Sequence, residues 1–266
     1  MDISADAFVS IREVDLVYGQ GAERVPAVEQ LTLDIQKGSF VAVVGPSGCG
    51  KSSLMKLITG LLPSTGGQIF VDGKKVSRPV DGVGMAFQNS TLMPWRTTLD
   101  NIMLPFEIVP PHKYRLRSHK KEYIAQAQNL LAAVGLGAFS QKYPWQLSGG
   151  MQQRANLCRA LIHQPALLML DEPFGALDAF TREELWAVMQ NLWMEKRFTA
   201  VLVTHDLREA VYLSDIVYVM SQRPGRFIFR SDIDIPRPRT LKTTFEPKFV
   251  DIVQSLRERI SHEPGA

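Results

Sequence analysis

The chain has 266 residues, of which 45% are apolar and 9% aromatic, so it can bury a core and form one compact domain with a subdomain or two. Lysine and arginine number 30 against 27 aspartates and glutamates, a balance too mild to argue for a nucleic-acid partner. Two distant cysteines, Cys49 and Cys158, exclude a disulfide framework and a zinc pattern and favour the cytosol. We see no secretory signal and no apolar run near the roughly 18 residues of a membrane span, so we expect a chain that does not itself cross a membrane.

The beginning of the chain predicts a small antiparallel sheet. Residues 8–28 are mixed and strand-like, and apolar residues alternate with polar ones over 31–35. Residues 68–71 and 74–76 flank the turn signal Asp72-Gly73, which is typical of a hairpin. We expect this hairpin to extend the same sheet.

The strongest motif is GPSGCGKSS, Gly45 to Ser53, which matches the P-loop pattern G-x-x-x-x-G-K-[ST]. The apolar run Phe40 to Val44 predicts a buried strand before it, and apolar residues at helical spacing predict a helix after it. The loop therefore lies at a helix N-terminus, whose N–H groups and positive dipole end attract an anion. Lys51 can reach the β- and γ-phosphates of a nucleotide, and the Ser52 hydroxyl can ligate Mg²⁺. A P-loop alone fits a nucleotide kinase, a GTPase or a motor equally well.

A second candidate region follows the apolar run 83–87, which predicts another strand. Gln88 stands at its end, where a polar side chain is well placed for a site. The proline-containing loop after it carries Trp95, which suits an interface anchor. Residues 100–137 are predicted helical and include a basic stretch, 112–121. We interpret this stretch as a solvated loop and helix face, with contact to anionic lipid headgroups as the alternative.

A further helix is predicted to begin within the motif LSGGMQQR, residues 147–154. Ser148 and two glycines at the helix start form a second N-terminus suited to an anion. The apolar strand 167–170 then ends in Asp171 and Glu172, and adjacent side chains on an extended backbone point to opposite sides. That geometry predicts that Asp171 reaches the Mg²⁺ while Glu172 faces the attacking water.

The last strand before the C-terminal region, residues 200–203, ends at His205. Alternating strands and helices predict a parallel sheet with its ligands at the carboxyl edge. Gly45, Gln88, Asp171 and His205 all fall at this edge. A lone histidine is more often a structural hydrogen-bonder, but at this edge it can meet a γ-phosphate.

Taken together, six motifs in order resemble the ATP-binding subunits of ATP-binding cassette (ABC) transporters. They are Walker A (GPSGCGKSS), the Q-loop Gln88, the signature LSGGMQQR, Walker B (LLMLDE), the D-loop Ala176-Leu177-Asp178 and the switch His205. The stretches MPWRTTLDN and RPGR (223–226) look like the importer subgroup that serves nitrate, sulfonates, taurine and bicarbonate. Trp145 stands where many relatives carry histidine.

The resemblance implies an α/β fold: a P-loop NTPase (RecA-like) core with a small antiparallel β subdomain and an inserted helical subdomain. The core is expected over 1–88 and 164–222, the helical signature subdomain over 89–163, and a C-terminal tail over 223–266. It implies an ATPase that uses ATP and Mg²⁺. The implied catalytic residues are Glu172, His205 and Gln88, and the implied metal ligands are Ser52, Gln88 and Asp171. The implied ATP-binding residues are Tyr18, which stacks on adenine, and Gly45, Pro46, Ser47, Gly48, Cys49, Gly50, Lys51, Ser52 and Ser53.

The resemblance also implies partners. In a head-to-tail dimer with a second copy of the chain, signature residues of one copy close over the nucleotide of the other. These are Ser148, Gly149, Gly150 and Gln152, with Asp178 in the D-loop. Membrane-spanning permease subunits are expected to contact the loop near Trp95, and a solute-binding protein takes part indirectly; no nucleic acid is expected. The chain is then placed at the cytoplasmic face of the inner or plasma membrane as a peripheral protein.

Importer function has alternatives in other classes. An exporter or lipid-moving subunit also uses a separate cassette chain, and a cytosolic ABC ATPase can act as a switch on nucleic acid, translation or cluster assembly. A repair-type switch would carry a long coiled coil between Gln88 and Leu147, and a translation factor would repeat the cassette; the sequence has neither. A P-loop kinase would have neither the signature nor His205.

Overall fold

The computed structural model describes residues 7–19 and 21–261, which form two compact units. The first unit comprises residues 1–80 and 199–266, and the second comprises residues 81–198. The ends of the predicted core and tail, residues 1–6 and 262–266, lie outside the described residues. The predicted α/β P-loop fold is confirmed, and the predicted subdomain boundaries stay a prediction.

The first unit contains an antiparallel sheet and a mainly parallel one. The antiparallel sheet has the order β2-β1-β4-β5. Its strands are β1 (Ala7–Tyr18), β2 (Val25–Gln36), β4 (Gly66–Val71) and β5 (Lys74–Lys75). In the central strand, Ile11 pairs with Leu33 on one side and Ile69 on the other, and all three are buried. The predicted sheet and its hairpin extension are therefore confirmed.

The other sheet of this unit carries the P-loop strand at its centre. Its strands are β3 (Phe40–Val44), β8 (Thr199–Thr204), β9 (Ile216–Met220) and β10 (Phe227–Asp232). Strand β3 runs parallel to β8 and β9, and β10 pairs antiparallel with β9. Every residue of β3 is buried, as expected for a strand of a parallel sheet. The helices are α1 (Lys51–Ile58), α7 (Leu207–Leu213) and α8 (Pro247–Ser261), with 3-10 turns at Gly21–Glu23 and Lys242–Phe245.

The second unit is mainly helical. Its strands β6 (Gly84–Ala86) and β7 (Leu167–Asp171) pair in parallel. Its helices are α2 (Thr98–Ile108), α3 (His112–Arg115), α4 (Lys120–Ala133), α5 (Gly149–Leu161) and α6 (Ala179–Lys196), with 3-10 turns at Gly137–Phe139 and Pro144–Gln146. The predicted helical stretch 100–137 is thus divided among three helices, and the pair Pro110-Pro111 separates α2 from α3, because proline cannot continue a helix. No helix among residues 7–19 and 21–261 has the length and apolar character of a membrane span.

A buried arginine ties the chain after β10 to helix α7. Arg239 is 2% exposed, and its guanidinium donates to the carbonyls of Val211 (2.6 Å) and Ser214 (2.7 Å) at the end of α7. It also donates to the carbonyl of Ile235 at 2.9 Å. Burial lowers the pKa of Arg239 to about 10, so it is still charged at neutral pH. A cation at a helix C-terminus is favourable, and here it satisfies carbonyls that the helix leaves open.

We expect Arg239→Met to lower the free energy of unfolding of the first unit by about 3 kcal/mol or more, because several buried carbonyls lose a charged donor. Urea unfolding followed by circular dichroism measures this loss. Arg257→Met, at an exposed position on α8, is the matched control and should change stability by less than about 0.5 kcal/mol. Equal unfolding midpoints for the two variants would contradict the role given to Arg239.

Candidate nucleotide-binding site

The loop between β3 and α1 is shaped by glycines. Gly48 has φ 76° and Gly50 has φ 109°, conformations that disfavour other residues. A Cβ on Gly50 would lie 2.6 Å from Cγ1 of Val28, and one on Gly45 would lie 2.8 Å from the carbonyl oxygen of Met220. No side chain caps α1 at Gly50. The loop therefore presents the start of α1 to any anion held there.

Lys51 is a buried cation in a neutral cradle. It is 6% exposed, and its Nζ donates to the carbonyls of Gly45 and Pro46, each at 2.8 Å. The Cys49 sulfur lies 3.9 Å from Nζ. Burial raises the pKa of the Cys49 thiol, although Lys51 acts in the opposite direction, so this neighbour stays protonated and supplies no negative charge. A buried charge calls for an opposite one, and the phosphates of a nucleotide would provide it.

Tyr18 lies beside the same helix. Its hydroxyl is 3.0 Å from Oγ of Ser53, and 38% of the residue is exposed. The hydrogen bond fixes the tyrosine at the end of β1 next to the P-loop helix. Its ring therefore lies close to residues predicted to bind the nucleotide.

His205 and the start of the P-loop share one cavity of about 500 Å³. His205 is exposed directly after β8, and the next residue, Asp206, caps α7 by accepting from the backbone N–H groups of Arg208 (2.9 Å) and Glu209 (3.2 Å). The cavity has three walls, formed by the P-loop, by the start of α7 and by α8. Its lining residues include Gly45, Pro46, Ser47, His205, Arg208, Val253 and Arg257.

The carboxylates after β7 differ from the prediction in one respect. Asp171 ends the strand and is 8% exposed, but Glu172 has φ 45° and is no longer extended. The expectation that the two side chains alternate across an extended backbone is therefore wrong, because the chain turns at Glu172 and Gly175 N–H donates back to its carbonyl at 3.2 Å. Oε2 of Glu172 accepts from Nε2 of Gln88 at 3.2 Å, which orients the carboxylate.

Two residues that sequence reasoning missed hold the Gln88 segment in place. Gln153 donates to the carbonyls of Phe87 and Gln88, both at 3.3 Å, and Asn156 donates to that of Phe87 at 3.2 Å. Both side chains project from α5, and both residues are buried. The sequence feature that could have indicated them is a pair of amide side chains three positions apart, and therefore on one face of the helix that begins with the signature.

The signature residues start α5. Ser148 is its N-cap, and its Oγ accepts from the backbone N–H of Met151 at 3.3 Å. Gly149 and Gly150 form the first turn, and a Cβ on Gly150 would lie 2.9 Å from Cδ2 of Leu177. The side chain of Gln152 donates to the carbonyls of Pro144 and Leu147, at 3.0 and 3.3 Å.

Asp178 caps α6 in the same way as Ser148 caps α5. Its carboxylate accepts from the backbone N–H of Thr181 (3.0 Å) and from the hydroxyl of that residue (2.7 Å), which lowers the pKa of Asp178. Phe180, in the first turn of α6, is 82% exposed. The D-loop thus ends in a charged cap, and an exposed ring follows it on α6.

The predicted residues therefore fall into two sets. The first unit holds Tyr18, Gly45 to Ser53 and His205, and the second holds Gln88, Asp171, Glu172, the signature and Asp178. Within residues 7–19 and 21–261, no group of three or more His, Cys, Asp or Glu side chains is placed to hold a metal ion. The predicted ligands Ser52, Gln88 and Asp171 are oxygen donors with one carboxylate. Such a set suits Mg²⁺, which keeps waters and nucleotide phosphates among its ligands.

A buried strand, a glycine-rich loop with a buried lysine and an open helix N-terminus define a P-loop nucleotide-binding protein. The family model described as "ABC transporter" matches residues 28–175, and the chain belongs to this family. Relatives of the chain are named as import ATP-binding proteins, and the chain is the ATPase subunit of an ABC importer.

Relatives named as importer subunits cover most of the chain. The aliphatic sulfonates import ATP-binding protein SsuB of Bacillus thuringiensis is 40% identical over 87% of this chain and 89% of its own. The taurine import ATP-binding protein TauB of Rhizobium johnstonii is 37% identical over 88% of each chain. Among solved structures, the ATP-binding cassette MJ0796, described as dimeric, in a post-hydrolysis state and bound to ADP and Pi, superposes with a TM-score of 0.74. It is 29% identical and covers 86% of this chain and all of its own.

Replacing Lys51 tests the charge argument. Lys51→Ala should weaken ATP binding by about a hundredfold or more, because the phosphates lose a buried cation. A filter-binding assay with labelled ATP measures the affinity. Lys56→Ala, at an exposed position on the same helix, should bind ATP as the wild type does. Wild-type affinity in Lys51→Ala would contradict the assignment of the loop.

Proposed function

We propose that the chain hydrolyses Mg-ATP in a head-to-tail dimer and thereby energises uptake of a small sulfonate-type anion through separate membrane-spanning subunits. The main support for nucleotide binding is the buried ammonium of Lys51, which lies among neutral carbonyl groups. The phosphates of ATP would pair with this charge. The solute class is supported by relatives named for aliphatic sulfonates and taurine.

In this proposal each P-loop holds one nucleotide. The backbone from Gly45 to Ser53 surrounds the phosphates, Lys51 neutralises the β- and γ-phosphates, and Tyr18 stacks on the adenine. Ser52, Gln88 and Asp171 would hold the Mg²⁺. When bound, this ion would neutralise the negative charge of the nucleotide phosphates.

Hydrolysis needs a base for the attacking water. The carboxylate of Glu172, oriented by Gln88, takes a proton as the water oxygen attacks the γ-phosphorus. The bond between the γ-phosphorus and the β–γ bridging oxygen breaks, and Lys51 stabilises the charge that moves onto ADP. His205 contacts the γ-phosphate from the cavity that it shares with the P-loop.

The second copy completes the site. Ser148 and Gly150 of one protomer, at the start of α5, close over the γ-phosphate held by its partner. A two-fold arrangement makes both sites equivalent, and the dimeric solved relative supports it. ATP then acts as the bridge between protomers, and ADP does not.

Replacing the base should separate binding from chemistry. Glu172→Gln keeps an oxygen that can accept from Gln88 but lacks basicity, so turnover should fall by roughly 10²- to 10⁴-fold while ATP still binds. Size-exclusion chromatography with Mg-ATP should then show a dimer that ADP does not give, and adding Ser148→Arg should return the protein to a monomer. Glu184→Gln, at an exposed position on α6, should hydrolyse ATP normally. Wild-type turnover in Glu172→Gln would transfer the role of base to another group.

The loop before α2 is the proposed contact with the permease. Trp95 is 72% exposed, so its ring is accessible to a partner. The backbone of the loop is tied to α2, because the buried amide of Asn101 donates to the carbonyls of Met93 and Arg96 at 3.1 Å each and accepts from Met93 N–H at 2.7 Å. A large aromatic ring held outward on a fixed loop loses little entropy on binding, which suits an interface anchor.

Contact through Trp95 would hold the chain at the cytoplasmic face of the membrane as a peripheral protein. The permease would receive the solute from a solute-binding protein that this chain does not touch.

Coupling and solute can be tested together. In a strain that lacks this chain, the wild type should restore growth on an aliphatic sulfonate as sole sulfur source, whereas Trp95→Ala should not. ATPase activity of the purified Trp95→Ala subunit should stay within about twofold of wild type, since an exposed ring contributes little to stability. Phe245→Ala, which removes another exposed ring, is the control and should grow. Failure of the wild type would contradict the solute class, and growth with Trp95→Ala would contradict the contact.

A further inference from the structure

A second cavity, which we name the histidine pocket, lies within the second unit and has a volume of about 450 Å³. Its lining side chains all carry polar groups. They are His112, Arg115, His119, Glu122, Tyr123, Gln126, His163 and Gln164. Three of the five histidines of the chain therefore meet here, and the nucleotide site uses none of them.

His163 is the buried wall of the pocket. It is 8% exposed, and neither ring nitrogen has a partner in good hydrogen-bond geometry, although the backbone of Gly82 and Val83 lies close enough to act on the ring. Burial lowers its pKa, with the backbone of Gly82 and Val83 acting in the opposite direction, so the ring is neutral at pH 7 and one nitrogen carries a proton. Buried polar groups are normally paired, and leaving one unpaired is costly. A ligand in the pocket with a hydrogen-bond acceptor would remove this cost.

Two further histidines of the lining can also donate. Nδ1 of His112 lies 3.2 Å from the Tyr123 hydroxyl and Nδ1 of His119 lies 2.9 Å from Oγ of Ser118, which leaves Nε2 of each ring for another partner. His119 is also the N-cap residue of α4, whose 14-residue helix has no side-chain cap. The positive end of that helix therefore adds to the donors at the pocket.

The charge around the pocket favours an anion over a cation. Arg115 and Glu122 in the lining offset each other, while four exposed residues that alternate with the lining residues along the chain are basic. These are Lys113, Arg117, Lys120 and Lys121. In the part of the chain that the structure describes, no three histidines or carboxylates converge to hold a metal.

We propose that the histidine pocket binds an oxyanion, either a free sulfate or phosphate ion or the phosphate of a lipid headgroup. The guanidinium of Arg115 offers a planar fork to two oxygens, and the imidazoles of His112, His119 and His163 offer single donors. The volume lies within the range of about 300–1,000 Å³ of ligand pockets, so the oxyanion can carry an organic group. This assigns the basic stretch 112–121 a binding role rather than that of a solvated face alone.

Histidine-selective ¹⁵N NMR tests the site directly. Sulfate or phosphate, added at constant ionic strength by exchange for chloride, should shift the ring signals of His112, His119 and His163 along one saturation curve. A shift confined to His205 would place the anion at the P-loop and overturn the proposal.

Substitutions distinguish binding in the histidine pocket from general electrostatic attraction to the basic surface. Arg115→Gln should weaken anion binding by about tenfold or more, because a charged donor is lost. Arg117→Gln removes the same charge two residues away, outside the pocket lining, and should change binding by less than about twofold. His163→Leu should also weaken binding while leaving the thermal midpoint without sulfate unchanged or higher, since an unpaired polar group is removed. Unchanged ATPase activity in all three shows that they fold.

The source of the oxyanion is decided by a second measurement. Co-sedimentation with vesicles that contain phosphatidic acid should be lost in Arg115→Gln and kept in Arg117→Gln if the ligand is a lipid headgroup. If the ligand is a free ion, Arg115→Gln and Arg117→Gln should co-sediment with the vesicles to the same extent. Only the NMR shifts caused by sulfate or phosphate should then depend on Arg115. No shift and no vesicle binding, or equal loss in the two arginine variants, overturns the proposal.

Discussion

The nucleotide site depends on one unusual interaction, a lysine ammonium buried among carbonyl oxygens. Taking a cation out of water is costly unless other groups replace the lost hydration. For Lys51 the carbonyls of Gly45 and Pro46 do this in part, in a loop geometry where a Cβ on Gly45 or Gly50 would clash with its neighbours. The loop thus surrounds a positive charge that a bound anion would neutralise. The same few residues therefore set both the shape of the loop and its affinity for an anion. Because these residues are contiguous in the chain, the P-loop can be recognised from sequence alone.

In the second unit some functional side chains, among them those of Gln88 and Trp95, lie on exposed segments whose backbone has to be held in position. Buried amides supply the support. Asn101 holds the loop that carries Trp95, and Gln153 and Asn156 hold the end of β6 before Gln88. A buried amide is stable only when its donors and acceptors are satisfied, so each of these residues fixes one backbone geometry. The chemistry of an exposed residue is here set by a buried one that never touches the ligand.

Features that depend on residues close together in the chain could be predicted from the sequence, and features that depend on distant residues could not. The strand Phe40–Val44 and the helix after the P-loop are local patterns, and the structure confirms them at those positions. The turn at Glu172 was not predicted, because a positive φ in a residue other than glycine leaves no compositional sign. The partners of Gln153 and Arg239 lie far along the chain. Sequence shows that such residues are polar within apolar surroundings, but it does not show which carbonyls they meet.

The C-terminal region shows how a distant segment can determine the position of a catalytic candidate. Helix α7 has seven residues, too few to be stable alone, and it begins two residues after His205. Asp206 satisfies its N-terminus, and its C-terminal carbonyls are satisfied by Arg239, which the chain reaches only after β10. Since α8 also lines the cavity shared by His205 and the P-loop, residues after β10 contribute both to the placement of this histidine and to the space in front of it. A change far from the motifs can therefore alter hydrolysis without touching any residue that contacts the nucleotide.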